Sequence, residues 1–227
     1  MPSNRRAFLA ATAVGALAAA PAGTKDRPGH PHGRPHGRPH SAGEALDELL
    51  AGNRRYAAGR PRHPRTSRDR RRLLAAGQHP FAVVMGCVDS RVPPELVFDQ
   101  GLGDLLCTRT AGQVLDEAVL GSLQYGVEEL GVPLVLVLGH ERCGAVGATL
   151  RHIRTGAPAP GHLALLVDEI APAAHRARAL PGDWAEHTTT AHTAWVRDAL
   201  RADPAFAGAT VLGARFDLDT GLVSLLP

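Results

Sequence analysis

F-A-V-V-M-G-C, residues 81–87, and L-V-L-V-L-G-H, residues 134–140, decide the fold. Each is a short apolar run, rich in β-branched residues, that passes through a glycine to a side chain able to bind metal. Unbroken apolar runs of this length predict buried strands over Phe81–Met85 and Leu134–Leu138. Working outward, Leu105–Thr108, Thr210–Phe216 and Leu222–Leu225 read as three more strands, the last two joined across Asp219-Thr220-Gly221. Helical spacing fills the gaps at Leu115–Leu130, about Cys143–Arg154, Leu163–Leu180 and Trp184–Ala202, with Gly131 and Pro133 stopping the first. Strands separated by helices predict an α/β fold with a mostly parallel, doubly wound sheet of about four strands flanked by helices. A C-terminal antiparallel edge strand completes it. Ahead of the sheet, Ala45, Leu46, Leu49, Leu50 and Tyr56 predict an N-terminal helical arm.

The charge balance looks basic, with 25 Lys+Arg against 22 Asp+Glu in 227 residues. Six of the basic residues and one acidic residue lie within 1–42, so the body carries 19 basic and 21 acidic residues. Aromatic residues are only 4%. Together these disfavour a nucleic-acid partner. Three cysteines cannot all pair within one chain, so this is not a disulfide scaffold.

Residues 1–22 read as an export signal. Arg5-Arg6 precede an uncharged Ala-rich run, and Ala20-Pro21-Ala22 offers a small-x-small cleavage site. Ser3 to Leu9 is similar to a twin-arginine signal. A retained membrane anchor is the alternative, but the run is short and weakly apolar, so no stable span is expected after signal removal. Residues 23–42 form a His/Pro/Gly-rich linker, too rich in Pro and Gly to pack. His30, His32, His36 and His40 could bind a metal loosely, but a solvated spacer is the preferred reading. Residues 43–227 read as one domain. The arginines at 60, 62, 65, 68 and 70–72 form a basic stretch, read as a solvated face or subunit contact ahead of a phosphate contact.

The carboxyl ends of parallel strands gather at one edge of the sheet, where ligands bind. That places Cys87 and His140 together. Cys143, at a predicted helix start, joins them where the helix N-terminus favours a thiolate. Two thiolates and an imidazole are a natural zinc set, with one position left open for chemistry. Asp89 can either ligate the metal or be held off it by a bidentate pair with Arg91. Cys107 reads as a core thiol within the second strand.

C-V-D-S-R at 87–91 and H-E-R-C-G at 140–144 resemble the paired motifs of the β-class carbonic anhydrases. The stretch from Arg91 to Leu105, the run Gly121–Pro133 and the closing D-L-D-T-G resemble that family too. The resemblance implies one Zn²⁺ per subunit on Cys87, His140 and Cys143, with Asp89 and Arg91 as the catalytic dyad. It implies substrate contacts at Gln78, Tyr125 and the Gly144 amide. Leu106 replaces a family Phe and Ala111 a family Val, both keeping an apolar wall. Val84 stands where some members carry a Trp that serves bicarbonate regulation, so that form of regulation is not expected. The resemblance further implies a homodimer or homotetramer with active sites near the subunit interface, which the arm at 45–58 could embrace.

The expected function is reversible hydration of carbon dioxide to bicarbonate and a proton by a zinc-bound hydroxide, assisted by the Asp-Arg dyad. Two alternatives share the features: a zinc-dependent hydrolase of carbonyl sulfide or carbon disulfide, and a non-catalytic exported zinc-binding protein. The Asp89–Arg91 pair argues against the last, because metal storage needs no such dyad.

Overall fold

The computed structural model describes residues 37–227. The signal at 1–22 and His30, His32 and His36 lie outside the described residues. Five strands form one sheet: β1 (Ala82–Cys87), β2 (Leu105–Thr110), β3 (Leu134–His140), β4 (Thr210–Phe216) and β5 (Val223–Leu225). Their order is β2-β1-β3-β4-β5. The first four run parallel and β5 pairs antiparallel with β4. This is the predicted architecture.

Every residue of β1 and β3 is buried. Period-2 alternation sends their side chains to opposite faces, and each face needs its own cover. Val84, Leu134, Leu136 and Leu138 pack on one side with Ala45, Leu49, Val97 and Phe98. Val83, Met85, Val135 and Val137 pack on the other with Val119, Leu123, Val196 and Leu200. Helices α1 (Ala42–Ala57) and α3 (Pro94–Val97) cover the first face; α4 (Glu117–Gln124) and α7 (Trp184–Ala202) cover the second. A short α2 (Arg68–Leu74) lies between α1 and β1, and α5 (Gly144–Thr155) and α6 (Leu163–Ala177) complete the order.

Two helices depart from the sequence reading. The helix expected over Leu115–Leu130 starts at Glu117, because the Asp116 carboxylate accepts the Val119 amide and caps it. It then widens into a π-helical turn over Tyr125–Glu129. The helix expected to reach Leu180 stops at Ala177. Both key strands run two residues further than expected. Cys87 pairs with Thr110, and His140 with Phe216, so each candidate ligand is the last rung of its ladder.

Helix α1 begins with a capping box formed by Ser41 and Glu44. It packs on its own sheet: Ala45 and Leu49 are fully buried. Gly52 lies so close to the next layer that a Cβ there would sit 1.7 Å from the Phe98 carbonyl oxygen. Asn53 then ties α1 to the C-terminal hairpin, donating to the carbonyls of Val97 and Gly221 and accepting from the Val223 amide. The basic stretch is partly drawn inward. The buried Asp99 carboxylate holds Arg55 at 2.6 Å, and buried Asp104 gathers Arg38, Arg65 and Arg70. Among the described residues, no helix is long and apolar enough to cross a membrane.

Candidate metal centre

Cys87 ends β1, His140 ends β3, and Cys143 is the N-cap residue of α5. All three are buried, and their ligand atoms lie within 4.8 Å of one another. No disulfide forms. The imidazole shows how the group is primed. Its Nδ1 lies 2.8 Å from the Glu141 carbonyl oxygen, which can only accept, so Nδ1 carries the proton. The other nitrogen, Nε2, is then a bare lone pair, buried and without a hydrogen-bond partner. An orphaned acceptor beside two thiols, with its ring fixed through the opposite nitrogen, fits a three-ligand zinc set.

The sulfurs are unequal. A hydrogen bond from Cys143 does most to hold the Cys87 thiol below its ordinary range, and the amides of Gly112 and Asp89 add to this against the cost of burial. The Gly112 N–H donates to Cys87 Sγ at 3.2 Å. The same sulfur pair pushes Cys143 up, partly opposed by the amides of Val146 and Ala145 in the first turn of α5.

Asp89 stands outside the three-ligand cluster. Its Oδ2 is 4.0 Å from His140 Nε2. Arg91 occupies the carboxylate through Nε at 2.9 Å from Oδ1 and Nη2 at 2.8 Å from Oδ2. That pairing, foremost, brings the Asp89 carboxyl down to about 2. Arg91 also donates to the Arg142 carbonyl at 3.2 Å, and Arg142 forms a bidentate pair with Asp219 of the closing D-L-D-T-G.

A second acidic group, Glu141 with Asp217 and Asp219, also brings its oxygens together. Arg215 and Arg142 already pair with Glu141 and Asp219.

The other sequence-predicted residues distribute unevenly. Gly144 opens α5 directly after Cys143, and no atom would obstruct a Cβ there within 4 Å. Ala111 starts the 3-10 turn Ala111–Gln113 that brings the Gly112 amide to Cys87. Leu106 and Tyr125 line one open groove of about 680 Å³ on the flank of β2. Gln78 lies in the exposed loop before β1. The full length of β1, roughly 17 Å at 3.3 Å per residue, separates that end of the sheet from Cys87. The single chain therefore does not bring Gln78 to its own cluster. Cys107 is half-buried in β2, and burial, followed by Glu95, pushes its thiol up.

Motif reading gave Arg109 no role, yet it clamps the ligand loop. Its Nε donates to the Cys87 carbonyl at 2.8 Å and its Nη2 to the Asp89 carbonyl at 2.7 Å. The one sequence cue is a charged residue within a strand. His192, fully buried under the Gly112 turn, was also missed. Nothing local to α7 distinguishes it.

The family model for carbonic anhydrase matches residues 82–223. Carbonic anhydrase 2 of Mycobacterium tuberculosis is 54% identical over 128 residues, covering 56% of this chain and 62% of that protein. The carbonic anhydrase of Mycolicibacterium smegmatis is 50% identical over 128 residues with the same coverage. The chain thus spans less than two thirds of the length of these curated relatives. The Coccomyxa β-carbonic anhydrase in complex with acetazolamide has a TM-score of 0.61 at 25% identity, covering 80% of this chain and 86% of that one. One of two tetrameric β-carbonic anhydrases from the ascomycete Sordaria macrospora has a TM-score of 0.64 at 21% identity, covering 80% and 96%, a likeness of fold. A family match over most of the body, on a sheet that delivers two cysteines and a histidine to one edge, places this chain in the β-class carbonic anhydrase family.

Proposed function

We propose that the chain catalyses the reversible hydration of carbon dioxide to bicarbonate and a proton. The observation that carries this reading is the unpartnered His140 Nε2 beside Cys87 and Cys143, with an ionised Asp89 held 4.0 Å away. Cys87, His140 and Cys143 would hold zinc, and zinc supplies Lewis acidity that makes water a nucleophile near neutral pH, as known for carbonic anhydrases.

The remaining work falls to the chain's own groups. Asp89 is a carboxylate throughout the neutral range, so its oxygen can accept a hydrogen bond from the attacking water and orient it. Arg91 holds both carboxylate oxygens, which keeps Asp89 ionised and off the ligand cluster. Arg109 fixes the backbone on either side of Val88, so thiolate and carboxylate keep their spacing. The Gly144 amide, in the first turn of α5, would meet an anionic product.

The apolar wall calls for a second copy. Leu106, Tyr125 and Gln78 lie away from the cluster of their own chain, while β2 is a half-buried edge strand. Leu96, Leu102 and Tyr125 expose 51%, 43% and 47% of their surface. A homo-oligomer, dimer or tetramer, that closes this flank over a neighbour's cluster would complete each site. The tetrameric Sordaria relatives support this reading.

Export by the twin-arginine route rests on residues 1–22 alone. It would deliver a folded, metal-loaded chain whose thiolates are shielded from oxidation.

Zinc content and stopped-flow hydration of carbon dioxide, run beside carbonyl sulfide and carbon disulfide on the same protein, test the reading. Bound zinc with no carbon dioxide turnover refutes it. Faster turnover of either sulfur compound would redirect it.

A further inference from the structure

Helix α7 lies beneath the turn that follows β2, and two of its neighbouring residues hold that turn. His192 is fully buried, with Nε2 3.0 Å from the Gly112 carbonyl oxygen. A carbonyl only accepts, so Nε2 carries the ring proton. Nδ1 is buried with no hydrogen-bond partner, which suits the bare lone pair of a neutral imidazole. Burial foremost, then the charge of Arg176, hold His192 down at about 4. It is a fixed donor at neutral pH and not a proton carrier. Trp195 stacks on the ring at 5.9 Å and sets its plane. Thr193, next along α7, accepts from Gln113 Nε2 at 2.9 Å.

The turn so held is an unusual one. Gly112 and Gln113 follow one another in the left-handed region, at φ 68° and 48°. For Gln113, which carries a Cβ, that conformation is strained. A Cβ on Gly112 would meet Ile170 at 2.9 Å and Ala145 at 3.0 Å, so the turn is hemmed in from α5 and α6 as well. What the reversal achieves is to aim the Gly112 N–H at Cys87 Sγ.

We propose that His192 is a positioning residue for the metal centre: by holding the Gly112 carbonyl it fixes the Gly112 N–H on Cys87 Sγ. An N–H···S bond draws charge from the sulfur. It favours the thiolate over the thiol and fixes the sulfur in place, so less is lost to proton competition and reordering when the metal binds. Partners that orient a ligand in this way commonly govern metal affinity. The inference rests on the reading that Cys87, His140 and Cys143 hold zinc.

The test measures zinc affinity by competition with a chromophoric chelator, together with the absorption spectrum of the cobalt(II)-substituted protein. Full-length wild type is compared with His192→Leu, His192→Gln and Thr193→Val. His192→Leu is expected to weaken zinc about 10–100-fold and shift the sulfur-to-cobalt charge-transfer band. His192→Gln keeps an N–H near the Nε2 position and should restore most of the affinity and the band. Thr193→Val, which frees Gln113, should shift both in the same direction by less. A folded His192→Leu protein with wild-type zinc affinity and cobalt spectrum overturns the proposal. So does a His192→Gln protein as impaired as His192→Leu, which would mark a packing role alone. If His192→Leu does not fold, Thr193→Val decides, and unchanged affinity and spectrum overturn the proposal. A wild-type protein that binds no zinc instead overturns the metal-site reading beneath it.

Discussion

Arg91 grips Asp89 at both carboxylate oxygens, 2.9 Å from Oδ1 and 2.8 Å from Oδ2, and its own backbone amide reaches Oδ1 at 2.9 Å. Two residues of separation thus build a closed ring around one charge. Removing the guanidinium should let the Asp89 carboxyl climb from about 2 toward its ordinary 3.8. With Arg91→Met, the acidic limb of the kcat/KM profile should move to higher pH. With Asp89→Asn, carbon dioxide hydration near neutrality should fall about 10²-fold or more. Stopped-flow pH profiles check both; an acidic limb that stays in place would show that Arg91 does not set this charge.

Removing zinc should free the two ligand thiols for reaction and leave the third unreactive. In the metal-free protein, Cys87 is the expected first site of iodoacetamide labelling, because its thiol is held low. Cys107 should react slowly with or without metal, since burial pushes it up. Cys143→Ser should lose zinc and hydration activity together. Mass spectrometry of labelled peptides, read against zinc content, tests the set.

His192 should make stability depend on pH. Its folded pKa, about 4, lies below the ordinary 6.5. Below 6.5 the unfolded chain therefore binds a proton that the folded chain refuses. Stability should be full above about 6.5 and decline as pH falls toward 4, by on the order of 3 kcal/mol in all. Denaturant unfolding of the metal-free protein across this window, compared with His192→Gln, isolates the contribution. Equal slopes for the two proteins would refute it.

Gly52→Ala should destabilise the protein although the residue sits in a helix, where alanine is normally preferred. The added methyl carbon would lie 1.7 Å from the Phe98 carbonyl oxygen, a backbone atom with no freedom to yield. A cost of at least about 2 kcal/mol is expected. A Tm equal to wild type would show that α1 can lift from α3 without penalty.

Export should depend on the arginine pair. Replacing Arg5 and Arg6 with lysine should leave the protein folded and inside the cell. Fractionation with an activity assay checks this, and undiminished export would exclude the twin-arginine route.

The elements of the fold were legible because each carries a local signature. Apolar runs marked β1 and β3, helical spacing marked α5 and α7, and β4 begins and ends where the pattern places it. The candidate ligands were legible for a related reason. Once strands are parallel, whatever follows each one comes to the same edge, so Cys87, His140 and Cys143 meet by topology alone. The signature blurred where geometry departs from a regular period, as in the π-helical turn at Tyr125–Glu129.

What the sequence by itself determined, then, is the order and type of the elements and the identity of the three candidate ligands. Only the tertiary structure decided what surrounds them. Register put Arg109 beside Gly86 and so within reach of the ligand loop. Helix packing put His192 under Gly112, 80 residues away along the chain. The direction of β1 put Gln78 at the far end of its own sheet. Burial turned Asp104 into an anchor for Arg65 and Arg70, two arginines of the run read as a solvated face. The physical reason is common to all four. Periodicity reports how a segment meets its nearest layer, whereas a contact between distant residues depends on how layers slide and rotate against each other. That is a property of the packed molecule and leaves no trace in either segment alone.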